Sequence, residues 1–173
     1  MLNNKNNGFT IIELIVTIAV IAIIASLAMP YYHRFMAEAE AKNITRLLEF
    51  HIQKAKNSAA IYRTNVVICS SPDQSSCQSN HWNQGFLVFI DYNKNRQVDT
   101  NEPVLSQHQD PLKYGALSWQ GTLNSSSVTF QGDSGLPRGS NGSFYYCAHQ
   151  IEQHQKLVLS MMGQTRVEHP TTC

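Results

Sequence analysis

A single carboxylate, Glu13, stands inside a run of 21 residues from Phe9 to Met29 that carries no other charge. An ionised side chain in so apolar a segment is costly in a bilayer, and in such settings it normally has a partner. Two chemistries are open to it. Thr10-Ile11-Ile12-Glu13 has the spacing of a capping box, in which the glutamate reaches back to the free N–H groups of a helix start. Otherwise the carboxylate meets a partner outside its own turn.

A second constellation is Asp91-x-Asn93-x-Asn95-x-Gln97-x-Asp99-x-x-Glu102. Oxygen ligands at alternate positions of one tight loop suit a hard cation, and this spacing coincides with a twelve-residue calcium loop. Arg96 occupies the position where such loops place glycine, and the flanks read as strands rather than helices. The competing reading is an Asn/Asp-rich hairpin turn whose side chains cap their own backbone.

The four cysteines are Cys69, Cys77, Cys147 and Cys173. Zinc sites can be drawn from Cys69, Cys77 and His81, or from Cys147, His149 and His154, but neither spacing is a standard structural site. An even number, all outside the apolar run, suits two disulfides in an oxidising compartment. Three pairings exist. Cys69–Cys77 with Cys147–Cys173 is favoured, because each pair would close a local loop or pin a terminus.

Other chemistry is sparse. The chain holds no nucleophile elbow, HExxH, P-loop or GxGxxG, and the reading is that it is not an enzyme. Formal net charge is +1 with 14% charged residues. That balance lacks the excess of Lys and Arg expected of a dedicated nucleic-acid binder.

The elements that would position these groups follow from periodicity. As a helix, residues 9–29 would span about 31 Å, close to the hydrocarbon thickness of a bilayer. An ordinary signal peptide cut after Ser26-Leu27-Ala28, leaving a secreted globular binding protein that starts at Met29, is the rival reading. The apolar run is longer than the usual core of such a leader. Pro30 is expected to kink the helix at the end of the run. From residue 31 to 62 the helix continues as an amphipathic half. Ile44, Leu48, Ile52, Ala55 and Ala59 form its buried stripe, and Glu38, Glu40, Lys42, Arg46, Glu49 and Lys54 lie on its other faces. Beyond Tyr62, short β-rich runs alternate with Gly, Pro, Asn and Ser. Strands are expected at 65–70, 85–91, 117–119, 127–131, 143–148, 156–161 and 165–168. One long helix followed by many strands argues for an α+β fold.

Gly8-Phe9-Thr10-Ile11-Ile12-Glu13-Leu14, followed by the apolar run and Pro30, resembles the leader and assembly signal of type IV pilins and pseudopilins. The resemblance implies cleavage by a prepilin peptidase after Gly8, N-methylation of Phe9, and pairing of Glu13 with the new amine of a neighbouring subunit. Such an amine has an ordinary pKa of about 7.7–8.0 and is largely charged at neutral pH. Within that group the head is similar to the GspH/FimT/FimU family, through Trp82-Asn83-Gln84-Gly85-Phe86-Leu87-Val88-Phe89-Ile90-Asp91, the hairpin from Asp91 to Leu105, and Phe130, Gly135, Gly142 to Cys147, Leu157 to Ser160 and Gly163. Some members take up DNA through a Gly-Arg-x-Arg pattern. The matching stretch here is Gly163-Gln164-Thr165-Arg166, in which Gln164 stands for the first arginine and Arg166 keeps the second. Losing a phosphate contact weakens DNA affinity, and Glu168 nearby adds repulsion.

The expected organisation is therefore a leader at 1–8, a transmembrane and assembly helix at 9–30, its amphipathic half at 31–62, and a β-rich extracytoplasmic head at 63–173. The fold expected is pilin-like α+β, a long N-terminal helix on an antiparallel β-rich head. The function expected is that of a minor pilin or pseudopilin anchored in the bacterial inner membrane with its head in the periplasm. Its partners would be other pilins and the prepilin peptidase. A DNA-binding minor pilin is the alternative.

Overall fold

The structure is a computed structural model that describes residues 10–149 and 153–173. Gly8 and Phe9 lie outside the described residues. The chain forms two compact units that divide after Met36.

One helix, α1, is assigned from Ile11 to Tyr62 with Pro30 inside it. The helix assignment runs through Pro30 without a gap. A proline removes one N–H and leaves the helix on either side intact. In the first unit the apolar side chains of α1 are exposed, Ile11 at 79% and Leu27 at 65% among them. Its best 18-residue window has a mean hydropathy of 2.8 and none of that window is buried. Tyr31, Tyr32 and Phe35 are exposed too, so burial of the helix starts at Ala37 rather than at residue 31.

In the second unit two four-stranded antiparallel sheets follow the helix. The first sheet contains β1 (Asn65–Ser70), β2 (Phe86–Asp91), β3 (Val104–His108) and β5 (Ser127–Phe130), in the order β3-β2-β1-β5. The second contains β4 (Gly115–Gly121), β6 (Gly142–Ala148), β7 (Gln155–Leu159) and β8 (Thr165–Glu168), in the order β4-β6-β7-β8. β3 is the strand that periodicity did not show. It is an edge strand, its side chains are half-buried or exposed, and a register shift between Val88 and Phe89 breaks its pairing with β2. β4 is longer than the expected 117–119, because it pairs along its whole length with β6.

Two cores result. The larger one joins Ile44, Leu48, Ile52, Ala55 and Ala59 of α1 to the inner faces of both sheets. A smaller one, Val67, Cys69, Leu87 and Phe89, lies on the opposite face of the first sheet and packs on Cys77 and Val98. β2 is buried on both faces for this reason, and its run FLVFID lacks the alternation of a half-exposed strand.

Polar bonds at the edges of the helix stripe lock α1 to both sheets. Glu40 accepts from the Lys113 and Tyr114 N–H groups at 2.8 and 2.9 Å and from the Tyr146 hydroxyl at 2.8 Å. Burial and this carboxylate push the Tyr146 phenol far up, so it stays a donor. Lys54 Nζ donates to the Leu105 carbonyl at 2.8 Å. Glu40 and Lys54 thus do not merely face solvent, as helical periodicity suggested. Periodicity reports the apolar side of a helix and not what its flanks bond.

His51 is 6% exposed, packs against the Phe86 ring at 5.1 Å and shares a 3.0 Å hydrogen bond with Ser106 on β3. Burial, with Lys54 and His108 adding like charge, lowers its pKa to about 4. Burial lowers His108 as well, against the opposing pull of Asp110. A folded pKa below the unfolded value means that the unfolded chain binds the extra proton first. The resulting stability is complete above about pH 6.5 and is lost as pH falls towards 4. It amounts to a few kcal/mol at most, on the order of 3. Melting temperature should therefore drop across that window, and His51→Gln should flatten the drop. A profile unchanged by the substitution would place the acid sensitivity elsewhere.

Candidate functional site

The site begins where α1 begins. Thr10 N–H and Thr10 Oγ1 both donate to Glu13 Oε2 at 2.9 Å, and Glu13 N–H donates back to Thr10 Oγ1 at 3.3 Å. This is a complete capping box, and it places the carboxylate at the positive end of the helix dipole. Both bonds to the carboxylate fall on one oxygen. Glu13 Oε1 has no partner among the described residues and is open to a further donor.

Among the described residues nothing else nearby competes for that role. Thr17 and Ser26 hydroxyls donate to the Leu14 and Ile23 carbonyls of their own helix, each at 2.8 Å. Glu13 is the one acidic residue between 10 and 36, and Arg34 the one Lys or Arg. Residues 10–36 thus present a long exposed apolar surface with a single ionised group near its start. Exposed apolar surface on this scale marks a membrane or protein interface.

Asp91 is fully buried, and its two oxygens accept from the Asn95 and Arg96 N–H groups at 3.1 Å. Glu102 accepts from Tyr92 N–H at 2.7 Å and Asp99 N–H at 3.2 Å. Asn93 and Asn95 amides both donate to Asp99 Oδ2, at 2.7 and 2.9 Å. The hairpin between β2 and β3 therefore brings together the oxygen-bearing side chains singled out at 91, 93, 95, 99 and 102, and they bond to the loop's own backbone and amides. Lys94 and Arg96 take left-handed backbone conformations, with φ of 63° and 61°. Gln97 contributes its backbone N–H, bonded to Asn95 Oδ1 at 2.7 Å.

Cys69 is bonded to Cys77 and Cys147 to Cys173, with Cα–Cα distances of 5.6 and 5.8 Å. The first disulfide holds the loop after β1 over the smaller core. The second ties the residues following β8 to β6. With all four sulfurs in disulfides, neither set of cysteines drawn for zinc has a free thiolate, and no cluster of three or more His, Cys, Asp or Glu suited to a metal occurs among the described residues.

Arg166 sits on β8 and is exposed. Its guanidinium contacts Glu168, which also pairs with Lys156 Nζ at 3.1 Å. Glu168 thereby offsets two of the cations on this edge. Lys56 Nζ lies 3.4–3.5 Å from the Met162 and Gly163 carbonyls in the turn before β8.

Residues 45–163 match the family described as type II transport protein GspH, and residues 3–29 match the prokaryotic N-terminal methylation motif. The chain is 29% identical over 73 residues to the type IV major alpha-pilin of Moraxella bovis, covering 42% of this chain and 45% of that protein. It is 45% identical over 40 residues to the fimbrial protein EcpB of Eikenella corrodens, covering 23% and 25%. The matched stretch thus spans less than half the length of these curated relatives. Crystal structures of the type IV minor pilin FimU of Pseudomonas aeruginosa share the fold. One superposes with a TM-score of 0.54 at 17% identity over 79% of this chain and 93% of that one. A second crystal form gives 0.51 at 16% identity over 75% and 93%.

Proposed function

The chain belongs to the GspH family, and on that footing we propose that it is a minor pilin or pseudopilin whose Glu13 recruits it into a type IV pilus or a type II secretion pseudopilus. The observation that carries this reading is the half-satisfied carboxylate at the head of an exposed apolar helix. Thr10 stabilises the ionised group through one oxygen and leaves the other for a cation. A prepilin peptidase cutting after Gly8 would create a suitable cation, the α-amine of Phe9, on every subunit of the same kind. In a low-dielectric setting the pair of an ammonium and a carboxylate fixes register, because misplacing one partner strands both charges.

The same premise assigns the localisation. The helix anchors the subunit in the bacterial inner membrane as a single span, and the two disulfides belong to a head in the oxidising periplasm. DNA capture is the weaker reading, since Glu168 already occupies the Arg166 guanidinium.

Mass spectrometry of the N-terminus of the native protein tests the proposal. A mature chain that starts with methylated Phe9 is the expected result. A chain that starts at Met29 would have lost Glu13 with its leader, and the assembly reading would have to be abandoned.

A further inference from the structure

The turn of α1 that follows the apolar run differs from the helix on either side of it. Tyr31, Tyr32, His33, Arg34 and Phe35 are all exposed, Tyr31 at 72% and Phe35 at 67%. Successive residues of a helix project about 100° apart, so five in a row cover its whole circumference. Before this turn, the large exposed side chains of residues 11–29 are aliphatic. After it, from Ala37 onward, one face of the helix is buried, and the exposed side includes Lys42, Asn43, Arg46, Gln53 and Asn57. Between the two lies a single turn of rings with one guanidinium. Neither tyrosine hydroxyl nor Arg34 has a hydrogen-bond or ion-pair partner among the described residues.

Spacing along the helix gives the turn its place. At 1.5 Å per residue, Tyr31 and Phe35 lie about 27 and 33 Å from Glu13. The hydrocarbon of a bilayer is about 30 Å thick. A span that begins at Glu13 therefore brings this turn to the opposite headgroup layer. Tyrosine is enriched at that depth, with its ring among apolar groups and its hydroxyl in water. Arginine lays its stem along apolar surface and sets its guanidinium on phosphate oxygens. A protein groove would take one face of the turn and leave the others in water. A headgroup layer surrounds them all.

We infer that residues 31–35 form a collar that docks in the phospholipid headgroup layer on the periplasmic side of the inner membrane and sets how deep the helix sits. The inference rests on the membrane-anchored reading above and deepens it, by naming the partner and the residues that meet it. Its consequence lies at the far end of the run. With the collar held in one headgroup layer, Glu13 is held at the other boundary and away from the midplane, where a carboxylate is most costly. There Glu13 stays within reach of water until a neighbouring amine meets it.

The test uses the full chain reconstituted in phospholipid vesicles, with bromine atoms placed high or low on the lipid acyl chains as fluorescence quenchers. Trp82 and Trp119 are buried in the head at 3% and 8%, and the wild type supplies their background. The signal added by Tyr32→Trp should be quenched more by bromines near the headgroups. The signal added by Ile21→Trp should be quenched more by bromines at the chain ends. Removing the collar from the Ile21→Trp chain, with Tyr31→Ala, Tyr32→Ala, Arg34→Gln and Phe35→Ala, should abolish that deep preference, because the helix is then free to shift. A deep preference that survives loss of the collar, or a Tyr32→Trp signal reached best from depth, would overturn the inference. So would a Tyr32→Trp signal that is untouched in vesicles and changes only when subunits assemble, which would give the turn to a neighbouring subunit. Ile21→Trp quenched from depth with Tyr32→Trp unquenched removes the collar alone. Ile21→Trp quenched at neither depth removes the span, and the localisation reading falls together with the collar.

Discussion

Glu13→Gln is expected to remove the subunit from filaments, cutting incorporation on the order of a hundredfold or more, while the head melts as before. Glutamine keeps an amide oxygen that can accept from Thr10 N–H and Oγ1, so the capping box survives. It also makes membrane insertion easier, because a neutral amide is less costly there than a carboxylate. What it cannot supply is the charge that pairs with an ammonium. Glu13→Ala removes both functions at once, and comparing the two variants separates them. Loss of incorporation in both assigns Glu13 to pairing between subunits. Loss in alanine alone assigns it to the helix cap. Wild-type incorporation in glutamine would end the pairing account, whatever alanine does. Immunodetection of the subunit in sheared filaments, normalised to its level in the membrane, gives the comparison directly.

Much of this molecule could be read from residue spacing, and what could not has definable causes. The stripe at 44, 48, 52, 55 and 59 stood out because a helix repeats its buried face every 3.6 residues. β2 stood out because six consecutive residues are buried. β3 did not, because an edge strand with exposed Val104 and Gln107 buries too little to print a pattern. Glu40 and His51 were invisible for a different reason. Their surroundings come from residues 35 to 106 positions away in sequence, such as Phe86 for His51 and Tyr146 for Glu40, and from β3, which was itself unseen. The apolar helix and Glu13 were legible together, whereas the second free oxygen of that carboxylate is a geometric fact.

The link between the two sheets supplies the largest expected loss of stability. Phe144 on β6 is 1% exposed, with Trp119 of β4 and Leu157 of β7 as its cross-strand neighbours. Its ring lies 4.5 Å from Trp119 and 4.9 Å from Trp82, the latter edge-to-face. Trp82 belongs to the segment leading into β2 and lies 6.3 Å from Phe86 of the first sheet. Phe144 therefore sits where the aromatic packing of one sheet meets that of the other. Phe144→Ala removes the ring, opens a cavity and takes one ring contact from each of two tryptophans, a change that costs about 3–5 kcal/mol. Domains of this size have roughly 5–15 kcal/mol to lose. The denaturation midpoint should fall accordingly, with little change in the slope of the transition. Phe50→Ala makes the control. It deletes the same ring from the same molecule where it is 63% exposed, and it should move the midpoint by no more than about 0.5 kcal/mol. If the two substitutions cost the same, the aromatic contact at Phe144 does not join the sheets, and the head's stability resides in α1 and the disulfides instead.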